Sequence, residues 1–202
     1  MLGSRGIFRV FGAVSALLFV AAANAQVIFS NVTIGGSLSA GATFVTGPTY
    51  IDFLTPSARV GDTEPVRSGN ISILYDAETF VPMIANDLLL NVLGALSGSG
   101  KIFLNEVIED ISNPQLPVVI GQHNAVLDQN SQLPYTHRIV FDHASRLIRV
   151  KKEFTLVAPD TQAFDFASVG LIQQTISLVP EPGTLLAIGA GLSALALRRR
   201  RK

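Results

Sequence analysis

The chain has 202 residues, with 15 basic and 15 acidic side chains and no cysteine, which excludes disulfides, iron–sulfur clusters and thiol catalysis. Seven of the basic residues are Arg5, Arg9 and the run Arg198, Arg199, Arg200, Arg201 and Lys202; eight are left against fifteen acidic groups between Gln26 and Pro182, a net charge of about −7. An acidic body lacks the basic surface that phosphate neutralisation requires, so nucleic acid is not expected as a partner.

Residues 1–25 read as a secretory signal peptide. A sparse basic start (Arg5, Arg9) leads into an apolar stretch from Val10 to Ala23, and Ala23-Asn24-Ala25 before Gln26 gives the small-x-small pattern of a cleavage site. The expected mature start is Gln26. An uncleaved anchor is the alternative.

Residues 26–179 are enough for one domain with a real core and not comfortably for two. Strand patterns dominate. Ile71, Ile73 and Tyr75 alternate with Asn70, Ser72 and Asp76. The stretch from Asp87 to Leu96 fits a strand better than a helix, and a Ser97-Gly98-Ser99-Gly100 turn before Ile102–Val107 predicts a hairpin. Ile148, Val150, Phe154 and Leu156 share a side, with Lys152 interrupting the apolar row, and Arg149, Lys151, Glu153 and Thr155 share the other. Ile172, Ile176 and Leu178 point inward from the last strand, Gln173, Thr175 and Ser177 outward. One-sided alternation belongs to antiparallel sheets, and many short strands joined by Gly-, Pro- and Ser-rich turns predict an all-β fold. The expected architecture is an antiparallel β-sandwich of jelly-roll kind, with an open barrel as the alternative.

Chemical motifs in this body are weak. Gly98-Ser99-Gly100-Lys101 fails as a phosphate loop, because Ala95 stands where its first glycine belongs and Ile102 where its hydroxyl belongs. His137 and His143 lie about 20 Å apart along one strand, too far to share a metal, which leaves only His143 with Asp142 as a candidate pair. Glu106, Glu109 and Asp110 cluster as candidate carboxylates for glycoside hydrolysis or calcium, with solvated acids as the default reading. Tyr50, Tyr75 and Tyr135 are the candidate rings for stacking on sugars. Asn31-Val32-Thr33 and Asn70-Ile71-Ser72 match the glycosylation acceptor pattern by coincidence. No catalytic residue, metal or cofactor is assigned, and the chain is expected not to be an enzyme.

The end of the chain is the most specific element. Leu185 to Leu197 holds no charge, and the longer run from Gly183 covers roughly 22 Å as a helix, short of the ~30 Å hydrocarbon slab. Arginine stems reaching the headgroups and local thinning of the bilayer close that gap. A transmembrane helix is expected over 184–197, and the basic tail 198–202 orients it with the body outside the cytoplasm.

Pro180-Glu181-Pro182, a small-residue apolar helix and a terminal arginine cluster together resemble the PEP-CTERM sorting signal of Gram-negative bacteria, recognised by the membrane enzyme exosortase. The resemblance covers about the last 24 residues, 180–202 forming the sorting segment. It implies that Pro180, Glu181 and Pro182 form the recognition box, and that the helix and Arg198, Arg199, Arg200, Arg201 and Lys202 hold the substrate in the lipid bilayer. It also implies processing toward the cell surface or extracellular matrix, and it brings the family's association with extracellular polysaccharide. The expectation is an exported, exosortase-sorted matrix protein, or else a weak carbohydrate-binding module or a matrix-acting hydrolase.

Overall fold

In the computed structural model, which describes residues 26–91 and 96–179, burial alternates with period two along the long strands. Among the described residues ten strands follow one another: β1 (Ile28–Gly35), β2 (Thr43–Thr46), β3 (Tyr50–Leu54), β4 (Arg59–Gly61), β5 (Ser68–Asn91), β6 (Lys101–Asp110), β7 (Val118–Leu127), β8 (Tyr135–Val157), β9 (Phe166–Ser168) and β10 (Leu171–Leu178). Among the described residues there is no helix. Eight strands are hydrogen-bonded in the order β2-β3-β10-β5-β8-β6-β7, with β1 added on β5, and β4 and β9 form a separate pair. All of these pairings are antiparallel.

Two strands organise this sheet. β5 and β8, 24 and 23 residues long, each change partners midway. Ser68 to Glu78 pairs with the second half of β8 and with β1, whereas Met83 to Asn91 pairs with the first half of β8 and with β10. Ladder breaks between Glu78 and Ala85 mark the change. Pro82, which has no N–H to donate, sits there, as proline in a strand must. Across that break the inward row shifts from odd positions (Ile71, Ile73, Tyr75) to even ones (Asn86, Leu88, Leu90). β8 makes the same shift along the chain, from odd positions (Ile139, Phe141) to even ones (Ile148, Val150, Lys152, Phe154 and Leu156). The sheet thus divides into two leaves, β1-β5-β8-β6-β7 and β2-β3-β10-β5-β8, that share β5 and β8 as their spine.

The inner faces of the leaves share one core. Phe53 on β3 meets Tyr75 on β5 at 5.8 Å between ring centroids, and Phe29 on β1 meets Tyr75 at 5.9 Å. Ile51, Ile73, Met83, Ile102, Ile108, Ile148, Phe154 and Ile172 are fully or almost fully removed from solvent around them. Each such side chain contributes about 1.5–3 kcal/mol of transfer free energy. In a chain without cysteine, this burial is the main non-covalent source of stability.

The inward rows expected for Ile71, Ile73 and Tyr75, for β8 and for Ile172 and Ile176 are all present; Leu178 is only partly buried. The hairpin expected between Asp87–Leu96 and Ile102–Val107 does not form. β8 lies between β5 and β6, and the end of β5 belongs to the other leaf. The Ser97–Gly100 turn instead docks on β9 through Ser97 and Phe166. Gly98 adopts φ +61° there, and a Cβ would stand 2.5 Å from the Phe164 carbonyl oxygen, so the turn requires glycine. Lys152 does not interrupt the buried row: it is inside it. The signal-cleavage residues Ala23 and Ala25, the Pro-Glu-Pro box and the 184–202 segment lie outside the described residues. Gln26 is exposed at the start of the described region.

Candidate functional site

The outer face of the second leaf carries a shallow groove of about 800 Å³. Strand register builds it. Tyr50 and Asp52 on β3 stand opposite Thr175 and Gln173 on β10; these stand opposite Asp87 and Leu89 on β5, which in turn face Arg138 and Thr136 on β8. The polar groups are fixed before any ligand arrives. Arg138 Nη1 donates to both Asp87 carboxylate oxygens at 3.1 Å, and Ser177 Oγ donates to Asp87 Oδ2 at 2.9 Å. Gln173 Nε2 donates to Asp52 Oδ2 at 3.3 Å, while Asp52 Oδ1, shielded from solvent, has no partner among the described residues. Tyr50 is 39% exposed and adds an aromatic surface beside them. A few oriented polar groups next to an apolar ring is the composition of a small-ligand or glycan groove.

A second polar cluster lies inside. Lys152 and Glu106 face each other across β8 and β6 and form an ion pair with no side-chain exposure on either partner. Asn86 Nδ2, from the opposite leaf, donates to Glu106 Oε1 at 2.7 Å and to Gln174 Oε1 at 2.6 Å, and Tyr75 Oη donates to the same Gln174 oxygen at 3.2 Å. Burial pushes the Lys152 amine below the usual lysine range, against the pull of Glu106. It pushes the Tyr75 phenol well above its ordinary value, with Glu106 adding to the effect.

At the margin of this cluster the rings of His123 on β7 and His137 on β8 stack at 3.4 Å, and His123 Nε2 shares a 2.7 Å hydrogen bond with Tyr135 Oη. Burial, then the neighbouring His137, holds the His123 imidazole below its ordinary pKa. His143 is not in this group. It meets Asp110 at 3.0 Å, so the pairing of His143 with Asp142 weighed from sequence is replaced by one across strands. Among the described residues, no three His, Asp or Glu side chains gather as a metal site.

The candidate carboxylates separate. Glu106, Glu109 and Asp110 all lie within β6: Glu106 is buried, Glu109 is bound by Lys151 at 2.7 Å, and Asp110 by His143. Of the candidate rings, Tyr75 is fully buried and closed to any ligand, Tyr135 is tied to His123, and Tyr50 lines the groove. Sequence reasoning missed Asp52, Asp87 and Arg138 as groove residues and Asn86 and Gln174 as core residues. The visible sign was parity, because Gln174 stands between the inward Ile172 and Ile176.

No curated protein sequence matches the chain. Among solved structures, it is similar to TmCBM61 in complex with β-1,4-galactotriose, at 9% identity over 74% of this chain and 90% of that one, with a TM-score of 0.38. It is also similar to a family 11 carbohydrate-binding module from Clostridium thermocellum in complex with a mixed-linked tetrasaccharide, at 11% identity over 76% and 86%, with a TM-score of 0.30. Superpositions this loose assign neither ligand nor site. The family model described as the PEP-CTERM protein-sorting motif matches residues 178–201, and the chain therefore carries that sorting motif, as its Pro-Glu-Pro box, apolar run and arginines announce.

Proposed function

We propose that this is an exported, non-enzymatic β-sandwich of jelly-roll kind, delivered by an exosortase-type membrane enzyme to the cell surface or extracellular matrix, where its outer groove holds extended polysaccharide. The observation that carries the reading is the sorting motif at residues 178–201, which implies an exported body presented to a processing enzyme. The groove supplies the contact chemistry. A sugar ring offers an apolar C–H face to an aromatic side chain and hydroxyls to its rim, and Tyr50 with Asp52, Gln173, Asp87 and Arg138 meets both requirements. A shallow groove open to solvent suits a polymer better than a small metabolite. The dispersal of Glu106, Glu109 and Asp110 supports binding without hydrolysis, because no carboxylate pair among them flanks a common cleft.

Affinity electrophoresis of the purified protein in gels containing bacterial exopolysaccharide tests the binding. Retardation is expected, with Tyr50→Ala and Arg138→Ala each weakening it about tenfold or more, equivalent to roughly 1.4 kcal/mol. Unretarded migration in every polysaccharide, or retardation indifferent to both substitutions, would remove the groove from the account. Polysaccharide cleavage abolished by Glu109→Gln would instead make the protein a hydrolase.

A further inference from the structure

We propose that Lys152 and Asn86 become joined by an intramolecular amide bond between Nζ and Cγ, formed by the protein itself with Glu106 as the proton-transfer group. The inference rests on the interior cluster and is independent of the groove. Three reactive groups meet there out of contact with water: Lys152, Glu106 and Asn86 are 2%, 0% and 0% exposed. One carboxyl group holds both reactants. Glu106 Oε2 takes the Lys152 ammonium, and Oε1 accepts from Asn86 Nδ2 at 2.7 Å, so amine and carboxamide sit at adjacent oxygens of a single side chain. Among the described residues, Lys152 Nζ has no partner other than Glu106, and Asn86 Oδ1 has none.

Such an arrangement is costly as a resting state and favourable as a reaction site. A buried ammonium paired only once and an orphaned carbonyl oxygen both carry desolvation penalties. Desolvation also favours the neutral amine, the nucleophilic form of lysine. Confinement by two strands and a cross-leaf hydrogen bond supplies the proximity that turns an otherwise very slow aminolysis into an intramolecular event.

The step balances without an oxidant or co-reactant. Nζ first gives a proton to Glu106 Oε2, leaving a neutral amine and a neutral acid. The amine lone pair attacks Asn86 Cγ, and the carbonyl π pair moves onto Oδ1. The Glu106 carboxyl group turns so that the oxygen facing Nδ2 carries the acid proton and delivers it to that nitrogen, and the carboxylate so formed takes a second proton from Nζ. The pair on Oδ1 returns, the Cγ–Nδ2 bond breaks, ammonia departs, and an Nζ–Cγ amide remains with Glu106 protonated. Gln174 and Tyr75 act as positioning residues, because Gln174 Oε1 holds Asn86 Nδ2 at 2.6 Å and is itself held by Tyr75. The product ties the two leaves together covalently in a chain that has no cysteine to do so.

The test is peptide mass spectrometry of the full protein recovered from its cells and digested. A branched peptide joining residue 152 to residue 86, lighter than its two parts by one ammonia, is expected. Glu106→Gln should leave both side chains free in a protein whose far-ultraviolet circular dichroism is unchanged, and Asn86→Asp should restore the branch with loss of water in place of ammonia. Recovery of linear peptides with free Lys152 and Asn86 from the wild type would overturn the proposal. A branch joining Lys152 to Glu106 by loss of water would overturn it as well.

Discussion

His123 shows how one side chain reports its surroundings. It stacks on His137, bonds to Tyr135, and its pKa is lowered first by burial and then by the neighbouring His137. The unfolded chain takes up a proton near pH 6.5, while the folded chain resists until a lower pH, so the unfolded state binds more protons in that interval. Stability is therefore complete above about pH 6.5 and declines as the pH falls toward the folded-state value. Thermal unfolding followed from pH 7.5 to 5.5 should show a falling midpoint in the wild type and a shallower fall in His123→Asn. Equal slopes would mean that the stacked pair carries no such penalty. None of this was legible in the sequence, because His123 and His137 meet only once β7 and β8 approach across the leaves. Lys152 was legible only as an anomaly in an apolar row. Its partner Glu106 sits opposite it through the β6–β8 register, which local alternation does not specify.

At the scale of the strand, sequence reasoning succeeded where one face is apolar and the other solvated. The rows in β8 and β10 and the first half of β5 follow from period-two burial alone. It failed where a strand changes leaf: nothing local distinguishes a long bulged strand from two strands, and the end of β5 pairs with β10 and β8, not with its sequence neighbour β6. The bulge region makes its own prediction. Phe154 lies fully buried between β5 and β6, whereas Phe80 at the break in β5 is 81% exposed. Phe154→Ala should cost about 3–5 kcal/mol in urea unfolding through loss of burial and a residual cavity. Phe80→Ala should stay within about 0.5 kcal/mol. A large loss at Phe80 would show that the break packs against something besides this chain.

At the scale of the molecule, three features bear on one task. A sorting motif occupies residues 178–201, the body before it is acidic and all-β, and its outer groove presents fixed polar groups beside Tyr50. The first was the clearest element of the sequence, because order, spacing and composition carry it without folding. The groove was invisible there: its residues come from four strands spread between Tyr50 and Thr175 and are assembled by register alone. The central claim, that this body is exported and released to the envelope by processing at its tail, is tested most directly by determining both terminal residues of the protein recovered from the cell exterior, in cells with and without exosortase. A chain beginning at Gln26 and lacking Arg198 to Lys202, with that C-terminal loss abolished when exosortase is absent, is the predicted result. An unprocessed chain recovered from the cytosol in both would contradict it.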